Sequence, residues 1–170
     1  MILQSTKAKL QARWPYVTVV VATLLLDRLT KSLIHTHLDL NESVSVIDGL
    51  FDITYIRNTG VAFGILNTFS SPAKSFMLSI FAITVAVVVI VYSLRSPAAN
   101  WLMQGALSLI LAGALGNLYD RLNYGYVIDF LEVYVRSYHW PAFNVADSAI
   151  STGVVLLAFE IIRNEAPDRA

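Results

Sequence analysis

Hydrophobic positions fall into four long runs separated by polar segments, at residues 16–34, 76–94, 101–118 and 146–162. Each run approaches the roughly 20 apolar residues that cross a bilayer as a helix. The second run contains no charged residue and is the clearest span. The first run lacks a small-x-small cleavage pattern and continues into DRLTK, which favours a retained span over a signal peptide. The pattern therefore predicts four transmembrane helices.

Composition supports a membrane protein. Hydrophobic residues make up 56% of the chain and charged residues only 14%, whereas a soluble domain carries about 25% charged residues. The formal net charge is zero, which gives no reason to expect nucleic-acid binding. The chain has no cysteine, so disulfides and thiol chemistry are excluded. No repeat or linker divides it, and residues 1–170 are predicted to form one domain.

The segments between the spans carry structure of their own. Phe51, Ile53 and Tyr55 alternate with polar or smaller residues, and turn residues follow at 58–60, which predicts a short strand pair lying on the membrane. The segment between the third and fourth runs is rich in aromatic residues, which favour the lipid–water boundary. The predicted fold class is an all-α membrane protein: four transmembrane helices, a small extracytoplasmic β-strand segment and a periplasmic helix or loop.

Basic residues set the predicted orientation, because cytoplasmic segments of membrane proteins are enriched in Lys and Arg. Three segments share one side in a four-span chain: the amino-terminal tail, the turn between spans two and three, and the carboxy-terminal tail. They carry Lys7, Lys9, Arg13, Arg95, Arg163 and Arg169. Both termini are therefore expected in the cytoplasm, and the acid-biased segment between spans one and two is expected outside.

Polar residues concentrate at the outer ends of the spans. They are Asp27, Arg28 and Lys31 in the first run, Asn117, Asp120 and Arg121 at the end of the third, Asp129 in the following segment, and Asn144 and Asp147 at the start of the fourth. Ionisable groups at membrane depth are costly and indicate function by default. At the inner ends, Glu160 is interpreted as an ordinary interfacial residue.

Paired carboxylates can hydrolyse a peptide bond without a metal. One ionised carboxylate accepts a proton from water while the other, kept protonated, donates one to the carbonyl oxygen. The candidates are Asp120, Asp129 and Asp147, with Asp27 as an outlier, and spacing alone does not select the pair. A purely structural role is equally open at the fourth span, where Asn144 or Asp147 could simply cap the helix.

Other chemistries fit less well. The sequence contains no H-E-x-x-H, no G-x-G-D and no recognisable Ser-His-Asp frame, and a Ser–Lys pair would have to use Lys31, an outer-end lysine. A small ion or proton carrier is the main alternative, although carriers usually place polar groups near the midplane. The other alternative is a helical scaffold protein whose acidic residues only cap helices. The small residues Gly105, Ala106, Gly113 and Gly116 are predicted to allow close helix packing.

Five motifs in order carry a family resemblance: DRLTK at 27–31, RNTGVAFG at 57–64, GALGNLYDR at 113–121, VIDF at 127–130 and FNVAD at 143–147. With them the chain resembles the lipoprotein signal peptidase (signal peptidase II) family over nearly its whole length. One departure is Ala114, where the family often has a second glycine.

The resemblance implies an aspartyl endopeptidase of the bacterial inner membrane, active at the periplasmic side. Such enzymes cleave prolipoproteins immediately before a diacylglyceryl-modified cysteine, and no cofactor or metal is expected. Carried onto this sequence, the catalytic pair is Asp129 and Asp147. Asp120 then becomes a supporting carboxylate, and it remains the fallback catalytic residue.

Physical roles for the remaining polar residues are hypotheses. Asn117, Arg121 and Asn144 are predicted to bind the backbone of the signal peptide, and Asn58 and Gly60 to close over it. Asp27 and Lys31 are predicted to brace the site. The substrate's lipid is expected to lie between helices in the bilayer, and the enzyme is expected to act as a monomer.

Overall fold

Four long helices dominate the computed structural model of the chain, which describes residues 11–60 and 72–165. The helices are α1 (Trp14–His37), α2 (Pro72–Arg95), α3 (Trp101–Tyr124) and α4 (Val145–Glu165). The strands are β1 (Ser43–Ile47), β2 (Phe51–Asn58), β3 (Val127–Val135) and β4 (Tyr138–His139). Every predicted hydrophobic run lies within one helix, and each helix extends past its run.

Helix α3 is the centre of the bundle. It packs against α1, α2 and α4, and its buried face is built from small and aliphatic residues such as Ala106, Leu107 and Ala112. Its start is fixed by Asn100, whose side-chain oxygen accepts a hydrogen bond from the Met103 N–H at 3.2 Å. Its end is fixed by Gly125, whose φ of 78° is left-handed. The outer helices turn large apolar side chains outward, as a bilayer-embedded protein requires.

Within residues 11–60 and 72–165, three helices are long and apolar enough to cross a membrane: Lys74–Arg95, Trp101–Tyr124 and Val145–Asn164. The protein is therefore a multi-pass membrane protein. Helix α1 has the same length as α2 and α3, but Asp27, Arg28 and Lys31 lower the hydropathy of its second half. A count of four spans stays a prediction.

The sheet is antiparallel, in the order β1-β2-β3-β4. The predicted strand pair corresponds to β1 and β2, whereas the sequence did not indicate β3. The first four residues of β3, Val127 to Phe130, are all buried, so the polar–apolar alternation of a half-exposed strand is missing there. In the β2–β3 register, Asn58 lies opposite Val127 and Ile56 opposite Asp129, which brings the end of β2 beside the first candidate aspartate.

Close packing of α3 on α4 depends on glycine. A Cβ at Gly113 would overlap the Ala146 carbonyl oxygen and come within 2.6 Å of Ile150 Cγ1. A Cβ at Gly116 would lie 2.8 Å from Asp27 Oδ2. The prediction of close packing is confirmed at these two positions and is wrong for Gly105, whose Cβ would meet nothing within 4 Å.

Glu160 differs from the expectation of an ordinary interfacial residue. Its side chain is 1% exposed and accepts hydrogen bonds from Asn100 Nδ2 at 2.7 Å and Asn164 Nδ2 at 2.9 Å. It also pairs with Arg163 on the next turn of α4. Glu160 therefore ties the end of α4 to the start of α3, at the end of the bundle opposite the aspartates.

Candidate active site

The two candidate aspartates line one cleft of about 640 Å³ between α2, α3, α4 and the sheet. Asp129 enters it from β3 and Asp147 from the first turn of α4. Asn58, Asn117 and Arg121 line the same cleft. Much of the remaining wall is apolar, with Leu78, Phe81, Ala82 and Val85 of α2 facing Ile150 and Val154 of α4.

Asp129 is held by two asparagine amides. Asn58 Nδ2 donates to its Oδ2 at 2.8 Å, and Asn144 Nδ2 donates to its Oδ1 at 2.7 Å. The Asn58 amide is oriented in turn by Gly60, whose N–H donates to Asn58 Oδ1 at 2.8 Å. Burial raises the pKa of Asp129 to about 7, and the nearby Asp147 carboxylate adds to the rise, against the opposing effect of the asparagine bonds.

Asp147 is held from both sides as well. Asn117 Nδ2 donates to its Oδ1 at 2.7 Å, and the Asn144 N–H donates to its Oδ2 at 3.3 Å. Its own N–H donates to Asn144 Oδ1 at 2.9 Å. Asn144 and Asp147 thus cap the start of α4 reciprocally, in the manner of a capping box. Asn144, which caps the helix, therefore also hydrogen-bonds both candidate carboxylates.

Four charged side chains form a cluster behind the cleft, three of them buried and the fourth, Arg28, partly exposed. Lys31 Nζ lies 2.9 Å from both Asp27 Oδ2 and Asp120 Oδ2, and Arg28 lies 2.6 Å from Asp120 Oδ1. Asp27 also accepts the Ala146 N–H at 3.0 Å. Asp120 accepts the Ile128 N–H at 3.3 Å. The cluster therefore attaches α1 and α3 to the backbone beside each candidate aspartate.

Asp120 does not lie in the cleft wall. Its side chain is fully buried and both oxygens face cations of α1. Arg121, by contrast, lines the cleft, and its guanidinium donates to the Asn117 carbonyl oxygen at 3.4 Å. A supporting role for Asp120 and a substrate-binding role for Arg121 stay predictions.

No group of three or more His, Cys, Asp or Glu side chains that could hold a metal ion occurs within residues 11–60 and 72–165. Arg57, next to Asn58, lies over the Tyr126 ring at 4.8 Å and donates to the Tyr55 hydroxyl at 3.0 Å. Sequence reasoning missed this aromatic contact, which fixes the end of β2. Part of the RNTGVAFG motif, residues 61–64, lies outside the described residues.

Fold and cleft together are typical of a membrane enzyme that works with paired carboxylates. The signal peptidase (SPase) II family model matches residues 19–163, and the chain belongs to that peptidase family. The lipoprotein signal peptidase of Geobacter sulfurreducens is 51% identical over 148 residues, covering 86% of this chain and 91% of the relative. That of Syntrophus aciditrophicus is 45% identical over 142 residues, covering 84% and 88%.

A solved structure described as a bacterial membrane enzyme is similar in fold. It superposes with a TM-score of 0.82 at 32% identity, covering 91% of this chain and 92% of the other. A second structure described in the same way gives a TM-score of 0.77 at 32% identity. The similarity therefore extends across the helices and the sheet, and is not confined to the motifs.

Proposed function

We propose that the protein removes signal peptides from prolipoproteins, cutting immediately before a diacylglyceryl-modified cysteine. Membership of the signal peptidase II family supports this proposal, as do relatives named lipoprotein signal peptidase. The observation that carries the chemistry is the pair Asp129 and Asp147, each held by two hydrogen-bond donors in one cleft.

The two carboxylates take different roles in this proposal. Asp129, whose pKa lies near 7, carries the shared proton and donates it to the carbonyl oxygen of the scissile peptide. Asp147 remains ionised and accepts a proton from the attacking water. The water oxygen bonds to the carbonyl carbon and forms a tetrahedral intermediate. The carbon–nitrogen bond then breaks as the proton held by Asp147 passes to the amine leaving group, and the proton on the intermediate's hydroxyl returns to Asp129.

The cleft also suggests how substrate binds. Arg121 lies on the cleft wall and would fix carbonyl groups of the extended signal peptide, with Asn58 and Gly60 closing over it. The apolar wall formed by α2 and α4 lines the same cleft as the two carboxylates and is suited to acyl chains. Asn117 and Asn144 already donate to the aspartates, so they would hold the pair as well as contact substrate.

The proposal also covers the number of membrane spans and their orientation. Helix α1 would be a fourth span, since its 24 residues are long enough and its charges are internally paired rather than facing lipid. Both termini would lie in the cytoplasm and the cleft at the periplasmic side of the bacterial inner membrane, with the enzyme acting as a monomer and without a cofactor. The chain has no cysteine, so labelling of single cysteines placed in either tail would test the orientation.

The direct test compares a lipidated prolipoprotein with its unlipidated form. Purified protein in detergent is expected to cleave the lipidated form and to leave the other largely intact, because the acyl chains place the scissile bond at the carboxylates. Mass spectrometry of the products locates the cut. Equal cleavage of both forms would contradict the lipid requirement, and no cleavage beside an active control enzyme would favour the carrier hypothesis, which ion-flux measurements could then address.

The pH dependence of kcat/KM should report the titration of Asp129. Asp129 loses its proton as pH rises through about 7, so kcat/KM is expected to fall by about tenfold per pH unit above that value. The Asn58 hydrogen bond favours the charged carboxylate and lowers the pKa. Asn58→Ala should therefore raise the pKa and move the alkaline limb to higher pH. An alkaline limb that stays in place in this variant would argue against Asp129 as the acid.

A further inference from the structure

Lys31 is a buried cation placed directly behind the cleft. Its side chain is 1% exposed, and its Nζ has three acceptors: Asp27 Oδ2 at 2.9 Å, Asp120 Oδ2 at 2.9 Å and Asn117 Oδ1 at 3.0 Å. An ammonium group has three protons to donate, so each acceptor takes one. The two carboxylates balance its charge. The third acceptor, Asn117 Oδ1, belongs to a neutral amide. Charge balance therefore does not explain this hydrogen bond.

The bond to Asn117 decides which way its amide points. Lys31 and Asn144 Nδ2 both donate to Asn117 Oδ1, at 3.0 and 3.2 Å. The NH2 end of the amide is thereby turned to Asp147, where it donates to Oδ1 at 2.7 Å. A flipped amide would place its NH2 group against the ammonium and its oxygen against the carboxylate, and both contacts would be repulsive. Lys31 therefore fixes a donor on Asp147 without touching it.

We propose that Lys31 is a positioning residue for the reaction: through the Asn117 amide it holds Asp147 in the geometry needed to activate water. The inference rests on the proposed function, since it takes Asp147 as the base. It assigns Lys31 a role beyond bracing helix α1, and that role acts on the catalytic step more than on substrate binding.

Arg28 provides a matched control. It is the second cation of the same cluster, 2.6 Å from Asp120 Oδ1 and 3.5 Å from Asp27 Oδ2, and among the described residues it has no hydrogen bond to Asn117. Lys31→Met and Arg28→Met each remove one positive charge beside the same two carboxylates. If Lys31 were only structural, the two variants would behave alike.

The expected results differ in kcat. Lys31→Met should lower kcat by about 10²-fold, the size of a misplaced catalytic group, with KM close to wild type. Arg28→Met should lose stability but keep kcat within a few-fold. In an Asn117→Ala background the effect of Lys31→Met should largely disappear, because the route to Asp147 is already cut. Equal kcat values for Lys31→Met and Arg28→Met, or additive effects with Asn117→Ala, would overturn the proposal.

A double variant separates an effect of Lys31→Met on folding from its effect on the placement of Asp147. Should Lys31→Met not accumulate, Lys31→Met with Asp27→Asn restores the charge balance and keeps an oxygen for the Ala146 N–H. This double variant is expected to fold with kcat still reduced by about 10²-fold, and a kcat near that of Asp27→Asn alone would overturn the proposal. Cleavage by the wild type is measured alongside: its absence refutes the proposed function, whereas its presence with an unaffected Lys31→Met refutes only the inference.

Discussion

Asp129→Asn and Asp147→Asn should each lower the rate of prolipoprotein cleavage by about 10³-fold or more, within the range expected for loss of an acid or base. An asparagine keeps the size of the side chain but neither donates the proton nor accepts one from water. Each carboxylate accepts hydrogen bonds on both of its oxygens, and an asparagine keeps only one of these acceptors. Each variant is therefore expected to fold with a loss of about 1–3 kcal/mol of stability, and the loss of cleavage is expected to come from the chemistry.

The experiment follows cleavage of lipidated substrate in single-turnover conditions and thermal unfolding in the same detergent. Asp48→Asn is the matched control, since it makes the same chemical change in the exposed turn between β1 and β2 and should cleave at the wild-type rate. Asp120→Asn should retain measurable activity with lower stability, because it weakens the bonds to Lys31 and Arg28. An active Asp129→Asn with an inactive Asp120→Asn would transfer the acid role to Asp120.

The sequence predicted the bundle and the end at which the polar residues gather. Long apolar runs predict helices in a membrane, and polar residues concentrated at one end of those runs come together once the helices pack. Spacing along the sequence could not decide between Asp129 and Asp120, because the placement of Asp129 in the cleft depends on strand β3. The strand is buried on both faces at its start and so lacks a recognisable alternation. Only the family motifs pointed to Asp129.

Some features of the site escape sequence reasoning for a different reason. The sequence predicted that Asn144 binds substrate and left open a cap by Asn144 or Asp147, but it did not predict that Asn144 caps α4 and also hydrogen-bonds both carboxylates. Such multiple roles arise from the approach of β3 to α4, which no local pattern encodes. Gly153 was not predicted to be a packing residue, although a Cβ there would lie 2.7 Å from the Ala106 carbonyl oxygen.

Gly113→Ala is expected to have the second large effect, acting on stability and on catalysis together. The added methyl group would overlap the Ala146 carbonyl oxygen and the Ile150 side chain, and the first of these is backbone that cannot move aside without shifting α4. Overpacking of this kind costs about 1–3 kcal/mol. Since Ala146 directly precedes Asp147, displacement of α4 should also pull the carboxylate from Asn117 and lower kcat.

Gly105→Ala separates this effect from helix propensity. It makes the same substitution in the same helix, but its Cβ would meet no atom within 4 Å. The gain in helix propensity should leave it neutral or more stable by up to about 1 kcal/mol, with wild-type kcat. Thermal unfolding and single-turnover cleavage of the two variants are measured in parallel. Wild-type kcat in a destabilised Gly113→Ala would mean that α4 accommodates the methyl group away from its first turn, and that the helix contact and the carboxylate geometry are independent.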